Sequence, residues 1–320
     1  MSGISHINKL LVTGSNGWVG RAACASIENR GWSVRAAVRS TSVADLPDDV
    51  VQVGSVNNQT HWAPALSGIH TVLHCAARVH VMTDTAQDPL SEFRKVNVDG
   101  TLNLARQASA AGVKRYIFMS SVKVNGESTR SGHSFTEADT ANPQDPYAIS
   151  KFEAEQGLRQ IAAVTGMEVV IIRPPLVYGP GVKANFAALM HAVQRGWPLP
   201  LGAAHNQRSL VALDNLVDFI LTCATHPSAA NQTFLVSDGQ DLSTTELVRG
   251  MARAANVPTR LLPIPVWALQ TAGQWLGQGA AVQRLCGNLQ LDISKARKLL
   301  NWSPPLSVEE GLRRAMASTH

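Results

Sequence analysis

The sequence Leu10-Leu11-Val12-Thr13-Gly14-Ser15-Asn16-Gly17-Trp18-Val19-Gly20 joins a short apolar run to a glycine-rich segment. The apolar run predicts a buried strand, and the residues after Gly17 predict the first turns of a helix. Gly14 permits a tight turn, Gly17 lets the backbone approach a ligand, and Gly20 lets the helix pack closely against the strand. A helix N-terminus attracts phosphate through free N–H groups and its positive dipole end. The stretch therefore predicts a site for the pyrophosphate of a dinucleotide.

The first half of the chain repeats this alternation of strand and helix. Its short apolar runs are rich in β-branched residues, and the longer segments between them have helical periodicity. Strands that are apolar at every position are typical of a parallel sheet, because helices cover both of its faces. The sequence therefore predicts the α/β class with a doubly wound parallel sheet. The predicted strands are residues 10–12, 34–38, 50–53, 71–73, 116–119 and 169–172, and the longest predicted helices are residues 88–111 and 146–164.

The composition changes near Arg173-Pro174-Pro175, after the last of these strands. Beyond that point the pattern predicts a smaller, mostly helical lobe, with a strand at residues 234–236 that can return to the main sheet. In such folds a ligand binds at the carboxyl ends of the strands, here in the cleft between the lobes. The predicted dinucleotide-binding domain is residues 1–173 and 211–236, and the predicted substrate lobe is residues 174–210 and 237–320.

The composition excludes several classes of protein. Only 16% of the residues are charged and 45% are hydrophobic, so the chain has enough apolar surface to fold and is not disordered. The net charge of +5 is spread along the chain without a Lys/Arg run, which favours a small anionic ligand over nucleic acid. The sequence has no apolar run of about 18 residues, and its four cysteines lack CxxC spacing. We therefore predict a cytoplasmic protein without a membrane span.

Two further patterns have a plain structural interpretation. His70, His74 and His80 lie across a loop–strand junction, where their side chains do not converge on one ion, so no metal site is predicted. Residues 263–276 are apolar enough for a membrane-surface helix, but they lack the Lys/Arg-rich face that such helices have. We predict that this segment packs within its lobe or in a homodimer, and not on a membrane.

Tyr147 and Lys151 are four positions apart and therefore share one face of a predicted helix. A phenol has a pKa near 10, and a neighbouring ammonium stabilises the phenolate and lowers that pKa. Upstream, a predicted strand ends at Ser120-Ser121, which places hydroxyl groups at the carboxyl edge of the sheet. Each feature alone is common, since Tyr and Lys meet on many helix surfaces and such serines often cap backbone groups. Together, and after a glycine-rich loop, they point to acid–base chemistry beside a dinucleotide.

These motifs together resemble the extended short-chain dehydrogenase/reductase family, in its nucleotide-sugar branch of UDP-sugar 4-epimerases and 4-keto-sugar reductases. The resemblance implies a Rossmann fold and extends nearly to the C-terminus. The matching segments are Thr13-Gly14 with Gly17 and Gly20, Cys75-Ala76-Ala77, Asn97-Val98-Asp99-Gly100-Thr101, Ser120-Ser121, Tyr147 with Lys151, Arg173-Pro174, Val177-Tyr178-Gly179-Pro180, Arg208 with Val211, and residues 292–302.

The resemblance implies a role for each matching residue. Tyr147 is the acid–base at the sugar oxygen, Lys151 lowers the pKa of Tyr147 and holds the nicotinamide ribose, and Ser121 hydrogen-bonds the same sugar oxygen. Asn97 completes a proton relay. The implied cofactor-binding residues are Gly14, Asn16, Gly17, Trp18, Val19, Gly20, Arg39, Ala76, Ala77, Tyr147, Lys151 and Pro174. The implied substrate-binding residues are Arg78, His80, Ser121, Asn185, Arg208 and Arg284.

The substrate residues each have a structural alternative. An arginine suits a diphosphate because its planar fork binds two phosphate oxygens, but Arg208 and Arg284 could equally be surface arginines paired with carboxylates. Asn185 could be a helix N-cap. Arg78 and His80 could be solvent-facing loop residues. The alternative is weakest for Arg208, which aligns well with the family arginine that pairs with the substrate pyrophosphate.

The segment Ser121-Val122-Lys123 bears on the reaction. Dehydratases of this family have an acidic pair where Val122 and Lys123 stand, so a 4,6-dehydratase is not expected. The resemblance leaves NAD(P)-dependent reduction of a UDP-4-keto-sugar in polysaccharide biosynthesis, or 4-epimerisation of a UDP-sugar with a recycled cofactor. A catalytically silent NAD(P)-binding regulator would not need the intact catalytic residues. A reductase of steroids or small carbonyl compounds would not need Arg208.

The end of the second predicted strand bears on the choice of cofactor. NAD-specific enzymes of this fold have a carboxylate there, which accepts a hydrogen bond from the adenosine ribose and repels a 2′-phosphate. Val38 stands at that position, and Arg39 follows it. A guanidinium suits a 2′-phosphate, so we predict NADP(H) in preference to NAD(H). Cells commonly use NADPH for reduction, and this favours the 4-keto-sugar reductase over the epimerase.

Overall fold

The computed structural model describes residues 9–40, 46–79 and 88–317. Its centre is a sheet of seven parallel strands in the order β3-β2-β1-β4-β5-β6-β9, which confirms the predicted doubly wound α/β fold. The strands of this sheet are β1 (Lys9–Thr13), β2 (Ser33–Val38), β3 (Val50–Gln52), β4 (Thr71–His74), β5 (Arg115–Met119), β6 (Glu168–Arg173) and β9 (Thr233–Leu235). A separate parallel pair is formed by β7 (Leu176–Tyr178) and β8 (Leu210–Ala212).

Helices connect and cover these strands. The helices before β7 are α1 (Trp18–Asn29), α2 (Ala63–Leu66), α3 (Pro89–Arg94), α4 (Thr101–Ala110) and α5 (Pro146–Thr165). The helices after β7 are α6 (Ala184–Gln194), α7 (Leu213–Thr225), α8 (Thr244–Ala254), α9 (Val266–Trp275), α10 (Gly279–Cys286), α11 (Ser294–Leu300) and α12 (Val308–Ala317).

The strands are apolar at successive positions because the sheet is covered on both faces. In β1, Leu10 and Val12 belong to a core cluster with α1 and α7, whereas Leu11 belongs to a second cluster with α4 and α5. Successive side chains of a strand point to opposite faces, so this division follows directly from the strand geometry. The carboxyl edge of the sheet therefore lies between two layers of buried apolar side chains.

The predicted single helix over residues 88–111 is interrupted. α3 ends at Arg94, Lys95–Gly100 forms one wide π-helical turn, and α4 begins at Thr101. A π-turn changes the direction of the side chains that follow it and is frequent at functional sites. Here the turn contains Asn97, which is fully buried and points towards the end of the sheet.

The second half of the chain forms a smaller lobe and also returns to the sheet. Its own core includes side chains of α6, α8 and α12, and α8 begins with a capping box between Ser243 and Glu246. β9 pairs with β6, as the sequence predicts for this strand. Residues 293–302 also lie against the sheet, since Ile293 and Trp302 belong to the same core cluster as β1.

The helical hairpin of α9 and α10 differs from its prediction as a segment packed within the lobe. Trp267 is 70% exposed, Trp275 is 87% exposed and Leu276 is 75% exposed. The side chain of Leu269 does pack against the lobe core. Within the described residues these three side chains are not packed in the lobe, and the alternative, a contact in a homodimer, stays a prediction. None of the helices in the described part of the chain is long and apolar enough to cross a membrane.

A buried carboxylate joins α5 to the ends of two central strands. Glu155 is fully buried and receives two hydrogen bonds from Arg173 of β6, at 2.8 and 2.5 Å. It also accepts a hydrogen bond of 2.6 Å from the hydroxyl of Ser120, directly after β5. Arg173 donates in addition to Asn125, so the guanidinium is fully engaged. The hydroxyl of Ser120 is thus engaged in a structural contact, whereas the adjacent Ser121 makes no hydrogen bond to this carboxylate.

We expect Glu155→Gln to destabilise the protein by about 3–5 kcal/mol, because it leaves the buried Arg173 guanidinium without its carboxylate. Glu153→Gln is the matched control on the same helix. It removes an ion pair with Arg94 that is exposed, and such pairs contribute less than about 1 kcal/mol. Urea unfolding of the two variants measures the difference. Equal free energies of unfolding would show that the Glu155 network does not hold the sheet edge.

Candidate active site

The glycine-rich turn after β1 has the geometry that its sequence predicts. Gly14 has a φ of +66°, and a Cβ at this position would lie 2.8 Å from the backbone nitrogen of Ala76. A Cβ on Gly20 would lie 2.2 Å from the carbonyl oxygen of Gly14. Neither position accommodates a side chain, so α1 starts directly against the turn, with Gly17 as its N-cap. The free N–H groups of α1 therefore face the carboxyl edge of the sheet.

A cavity of about 910 Å³ lies over this turn, between α1 and the ends of β2, β3 and β4. Its volume suits a dinucleotide. Six of the predicted cofactor residues line it near the turn, and Arg39, Ala76 and Ala77 line it further along. Those six are Gly14, Asn16, Gly17, Trp18, Val19 and Gly20. The cavity and the close approach of the backbone are what a bound NAD(P) requires.

The adenosine end of the cavity contains no carboxylate at the end of β2. Val38 is buried there, and Arg39 is exposed beside it. The backbone carbonyl of Arg39 accepts a hydrogen bond from Gln52 of β3, while its guanidinium has no ion pair within the described ranges. The cation thus stands next to the cavity wall.

Tyr147 and Lys151 lie in the first turns of α5, whose N-cap is Asp145. The ammonium of Lys151 is buried, donates to the carbonyl of Met119 at 2.8 Å and lies 5.9 Å from the ring of Tyr147. Burial lowers the pKa of Lys151 to about 8, so it stays largely charged at neutral pH. Burial and the charge of Asp145 raise the pKa of Tyr147 to about 12. The predicted lowering of the Tyr147 pKa by Lys151 therefore does not dominate in this state.

Ser121 begins a short 3₁₀ turn, and its hydroxyl oxygen accepts a hydrogen bond of 3.3 Å from the backbone N–H of Lys123. Asn97 reaches α5 from the π-turn, since its amide donates to the hydroxyl of Ser150 at 3.0 Å. The same amide group exchanges two hydrogen bonds with the backbone of Arg78, at 2.8 and 3.0 Å. Asn97 thus fixes the loop after β4 and does not contact Tyr147 or Lys151 through a direct hydrogen bond.

A buried histidine completes the wall behind the glycine turn. The ring of His74 hydrogen-bonds the hydroxyls of Thr13 at 2.7 Å and Thr101 at 2.9 Å. Burial lowers the pKa of His74 to about 3, so the ring is neutral. The Thr13 hydroxyl in turn accepts from the backbone N–H of Ala76 at 3.3 Å. These hydrogen bonds link the glycine turn, β4 and α4. No sequence pattern indicates them, because the three side chains are far apart in the sequence.

The substrate residues near β4 are only in part described. The guanidinium of Arg78 lies 5.5 Å over the ring of Phe93, which meets the ring of Tyr147 edge-on at 6.1 Å. Arg78 also lines the cavity, so Arg78 and Phe93 connect the cavity to Tyr147. His80 lies outside the described residues. Pro174 follows β6, and its carbonyl accepts from the backbone N–H of Val122, next to Ser121.

Three of the predicted substrate residues lie in the smaller lobe. Arg208 is half-buried, donates to the carbonyl of Gly287 at 2.9 Å, and feels the charge of Glu127 from the Ser121 side of the cleft. Burial lowers the pKa of Arg208, and a guanidinium in a protein keeps its charge. Arg284 of α10 and Asn185 of α6 are both exposed. Asn185 is not an N-cap, because the N-cap of α6 is Lys183.

Several cavity residues carry no sequence signal. Residues 53–56, which follow β3, and the buried Trp62 form the far wall of the cavity. The indole N–H of Trp18 donates to the carbonyl of Pro180 at 2.7 Å, so the helix of the glycine turn contacts the smaller lobe. The sequence marks Trp18 as a cofactor residue but cannot indicate its partner. Within the described ranges no group of three or more His, Cys, Asp or Glu side chains is placed to hold a metal ion.

Known proteins resemble this chain over nearly its whole length. A UDP-glucose 4-epimerase of Vibrio cholerae is 49% identical over 309 residues, covering 95% of this chain and 93% of the relative. An N-acetyl-alpha-D-glucosaminyl-diphospho-ditrans,octacis-undecaprenol 4-epimerase of Escherichia coli O157:H7 is 28% identical over 285 residues, covering 84% of this chain and 83% of the relative.

A solved structure gives the same result for the fold. The UDP-glucose 4-epimerase of Thermotoga maritima, determined with UDP-glucose, has a TM-score of 0.76 at 22% identity and covers 97% of this chain and 98% of its own. Residues 10–237 match the NAD dependent epimerase/dehydratase family. The resemblance predicted from the motifs is confirmed, and the chain belongs to the NAD dependent epimerase/dehydratase family, in the nucleotide-sugar branch of the extended short-chain dehydrogenases/reductases.

Proposed function

We propose that this enzyme interconverts C4 epimers of a UDP-linked hexose, with a nicotinamide dinucleotide bound over the glycine-rich turn. The main support is the arrangement of the site: the ammonium of Lys151 lies 5.9 Å from the ring of Tyr147 and donates to the carbonyl of Met119, two residues before Ser121. The side chains of Phe93 and Arg78 connect Tyr147 to the cavity. The 49% identical relative, a UDP-glucose 4-epimerase, supports the same reaction.

The protein side of the reaction is proton transfer at the sugar O4. Tyr147 accepts the proton of the C4 hydroxyl and later returns it, and Ser121 hydrogen-bonds the same oxygen. Lys151 stabilises the phenolate through its buried ammonium. Burial and the charge of Asp145 raise the pKa of Tyr147 to about 12, and the positive charge of a bound, oxidised nicotinamide would lower it. A nicotinamide held over the glycine-rich turn would supply the hydride chemistry at C4.

Epimerisation also requires that the oxidised sugar rotate before the hydride returns. A substrate held by its diphosphate, with the sugar free to turn, meets this requirement. Arg208 lies on the smaller-lobe side of the cleft and has one donor group engaged by Gly287, which leaves the rest of its fork for phosphate oxygens. We assign Arg208 to the diphosphate, with Asn185, Arg284 and Arg78 as further substrate contacts.

A second candidate is reduction of a UDP-4-keto-sugar, which uses the same side chains but releases oxidised cofactor. The exposed Arg39 beside the cavity and the absence of a carboxylate at Val38 favour it, since they favour NADP(H). A silent NAD(P)-binding regulator has no use for a buried Lys151 beside a catalytic tyrosine. A cytoplasmic location, the domain bounds and a homodimer stay predictions.

Purified enzyme is expected to convert UDP-glucose to UDP-galactose without net consumption of added cofactor, and Tyr147→Phe is expected to lose about 10²–10⁴-fold in kcat. The variant lacks only the proton-exchanging hydroxyl, so its fold and cofactor binding should match the wild type. Product chromatography and cofactor absorbance measure both. Stoichiometric oxidation of NADPH by a UDP-4-keto-sugar, with no epimerisation, would select the reductase. Full activity of Tyr147→Phe would remove both candidates.

Arg208→Ala should raise KM for the nucleotide sugar about 10- to 100-fold and lower kcat less, because a contact to the diphosphate contributes mostly uniform binding. Arg208→Lys keeps the charge without the fork and should recover part of the loss. Arg260→Ala, an exposed arginine of the same lobe, is the control and should leave KM unchanged. An unchanged KM in Arg208→Ala would contradict its assignment to the diphosphate.

Titration of the wild type with NADPH and NADH should give a Kd about tenfold lower for NADPH, as one charge-assisted contact to a 2′-phosphate provides. Val38→Asp/Arg39→Ala should reverse the preference, because the carboxylate repels that phosphate. Arg30→Ala, at the other end of α1, controls for a general loss of positive charge. Equal affinities, or tighter NADH binding by the wild type, would contradict NADP(H) and remove the observation that favours the reductase.

A further inference from the structure

Lys123 stands in the position where dehydratases of the family have an acid, and its side chain is not used by the reaction proposed above. It lies in the 3₁₀ turn Val122–Val124, directly after Ser121. Its ammonium contacts the carboxylate of Asp145 at 2.6 Å and that of Glu127 at 2.9 Å. All three side chains are only partly exposed, at 32%, 23% and 38%, so solvent screens these pairs incompletely.

Asp145 uses its two carboxylate oxygens for different partners. Oδ1 accepts a hydrogen bond of 2.7 Å from the backbone N–H of Ala148 and so caps α5, the helix that carries Tyr147 and Lys151. Oδ2 accepts from Lys123. The backbone N–H of Lys123, in turn, donates to the hydroxyl oxygen of Ser121. One residue thus contacts both the helix start beside Tyr147 and the hydroxyl of Ser121.

We propose that Lys123 is a positioning residue for the C4 chemistry: it fixes the first turn of α5 against the loop of Ser121, so that Ser121 and Tyr147 face one sugar oxygen. This inference rests on the proposed function for its role in turnover. The contact lies at the open side of the site. At the opposite side, the bond from Lys151 to the carbonyl of Met119 and the bond from Ser120 to Glu155 already join α5 to the end of β5.

The ion pair has an electrostatic consequence for Tyr147. The charge of Asp145 is one of the two causes that raise the Tyr147 pKa, and the ammonium of Lys123 offsets that charge. The other charged groups near the phenol are Lys151 on the same helix and Glu127 beside Lys123; from the loop after β4, Arg78 lies behind Phe93. Loss of the Lys123 cation leaves Asp145 uncompensated and should raise the Tyr147 pKa further. Loss of the Asp145 charge should lower it.

The tyrosinate absorbance of the protein measures this directly, without substrate. The chain has three tyrosines. Burial raises the pKa values of Tyr116 and Tyr178 far above the usual value, so the first absorbance step belongs to Tyr147, and the difference from Tyr147→Phe isolates it. We expect Lys123→Met to raise the observed pKa by about 0.3–0.7 pH unit, as loss of one partly exposed ion pair does. Lys123→Arg should restore it.

Asp145→Asn is the matched variant, because asparagine caps a helix as well as aspartate but carries no charge. It should lower the Tyr147 pKa, and Lys123→Met should add little in the Asp145→Asn background. In turnover, Lys123→Met should lower kcat about two- to fivefold at pH values below the Tyr147 pKa. The alkaline pKa of its kcat–pH profile should rise by the same interval as the Tyr147 titration, about 0.3–0.7 pH unit. Circular dichroism at each pH confirms that the variants remain folded.

Two results would overturn the proposal. If Lys123→Met lowers the melting temperature but leaves the titration and the pH profile unchanged, Lys123 has only a structural role. If it raises KM for the UDP-sugar at constant kcat, Lys123 contacts the substrate and does not position Tyr147. Failure of the wild type to act on any UDP-hexose would instead contradict the proposed function, while the titration would still decide the role of Lys123.

Discussion

The carboxylate of Glu155 is the interaction on which the geometry of the site depends. It lies in the middle of α5, and it binds the end of β5 through Ser120 and the end of β6 through Arg173. Because a buried carboxylate without a partner is costly, these bonds are made together or not at all. They set the angle of α5 across the sheet, and with it the positions of Tyr147 and Lys151. The carboxyl edge of a parallel sheet becomes a reaction site only because a helix is fixed across it.

The pKa values of Tyr147 and Lys151 depend on burial and would respond to the charge of a bound ligand. Burial disfavours both the phenolate of Tyr147 and the ammonium of Lys151, which raises the pKa of the first to about 12 and lowers the pKa of the second to about 8. The two pKa values, which lie close together for the free side chains, are therefore moved apart. A bound, oxidised nicotinamide would add positive charge to the site, and that charge would favour the phenolate that the proposed proton transfer requires.

The features that depend on local geometry could be predicted from the sequence. The glycines of the first turn are required by a positive φ at Gly14 and by the contact of Gly20 with the Gly14 carbonyl, and glycine is the one residue that satisfies both. Continuous apolar strands follow from a sheet covered on both faces. The predicted helix over residues 146–164 ends one residue before the observed helix α5, which ends at Thr165. Each of these features is determined by residues that are close together in the sequence.

Features that depend on contacts between residues far apart in the sequence could not be predicted from it. The π-turn that carries Asn97 has ordinary helical sequence, and its extra residue is set by hydrogen bonds to Arg78 and Ser150. The role of His74 depends on two threonines from other elements. The exposure of Trp267 and Trp275 could not be inferred, because apolar residues indicate burial unless the packing of the whole lobe is known.

The fate of the hydrogen on C4 tests the central claim most directly. UDP-glucose with deuterium at C4 is incubated with the enzyme and its cofactor in ordinary water, and the UDP-galactose formed is analysed by NMR at C4. The account predicts that the deuterium is retained at C4, because the hydride leaves for the nicotinamide and returns without contact with solvent. Product that carries a solvent hydrogen at C4 would contradict hydride transfer and the roles assigned to Tyr147, Lys151 and Ser121.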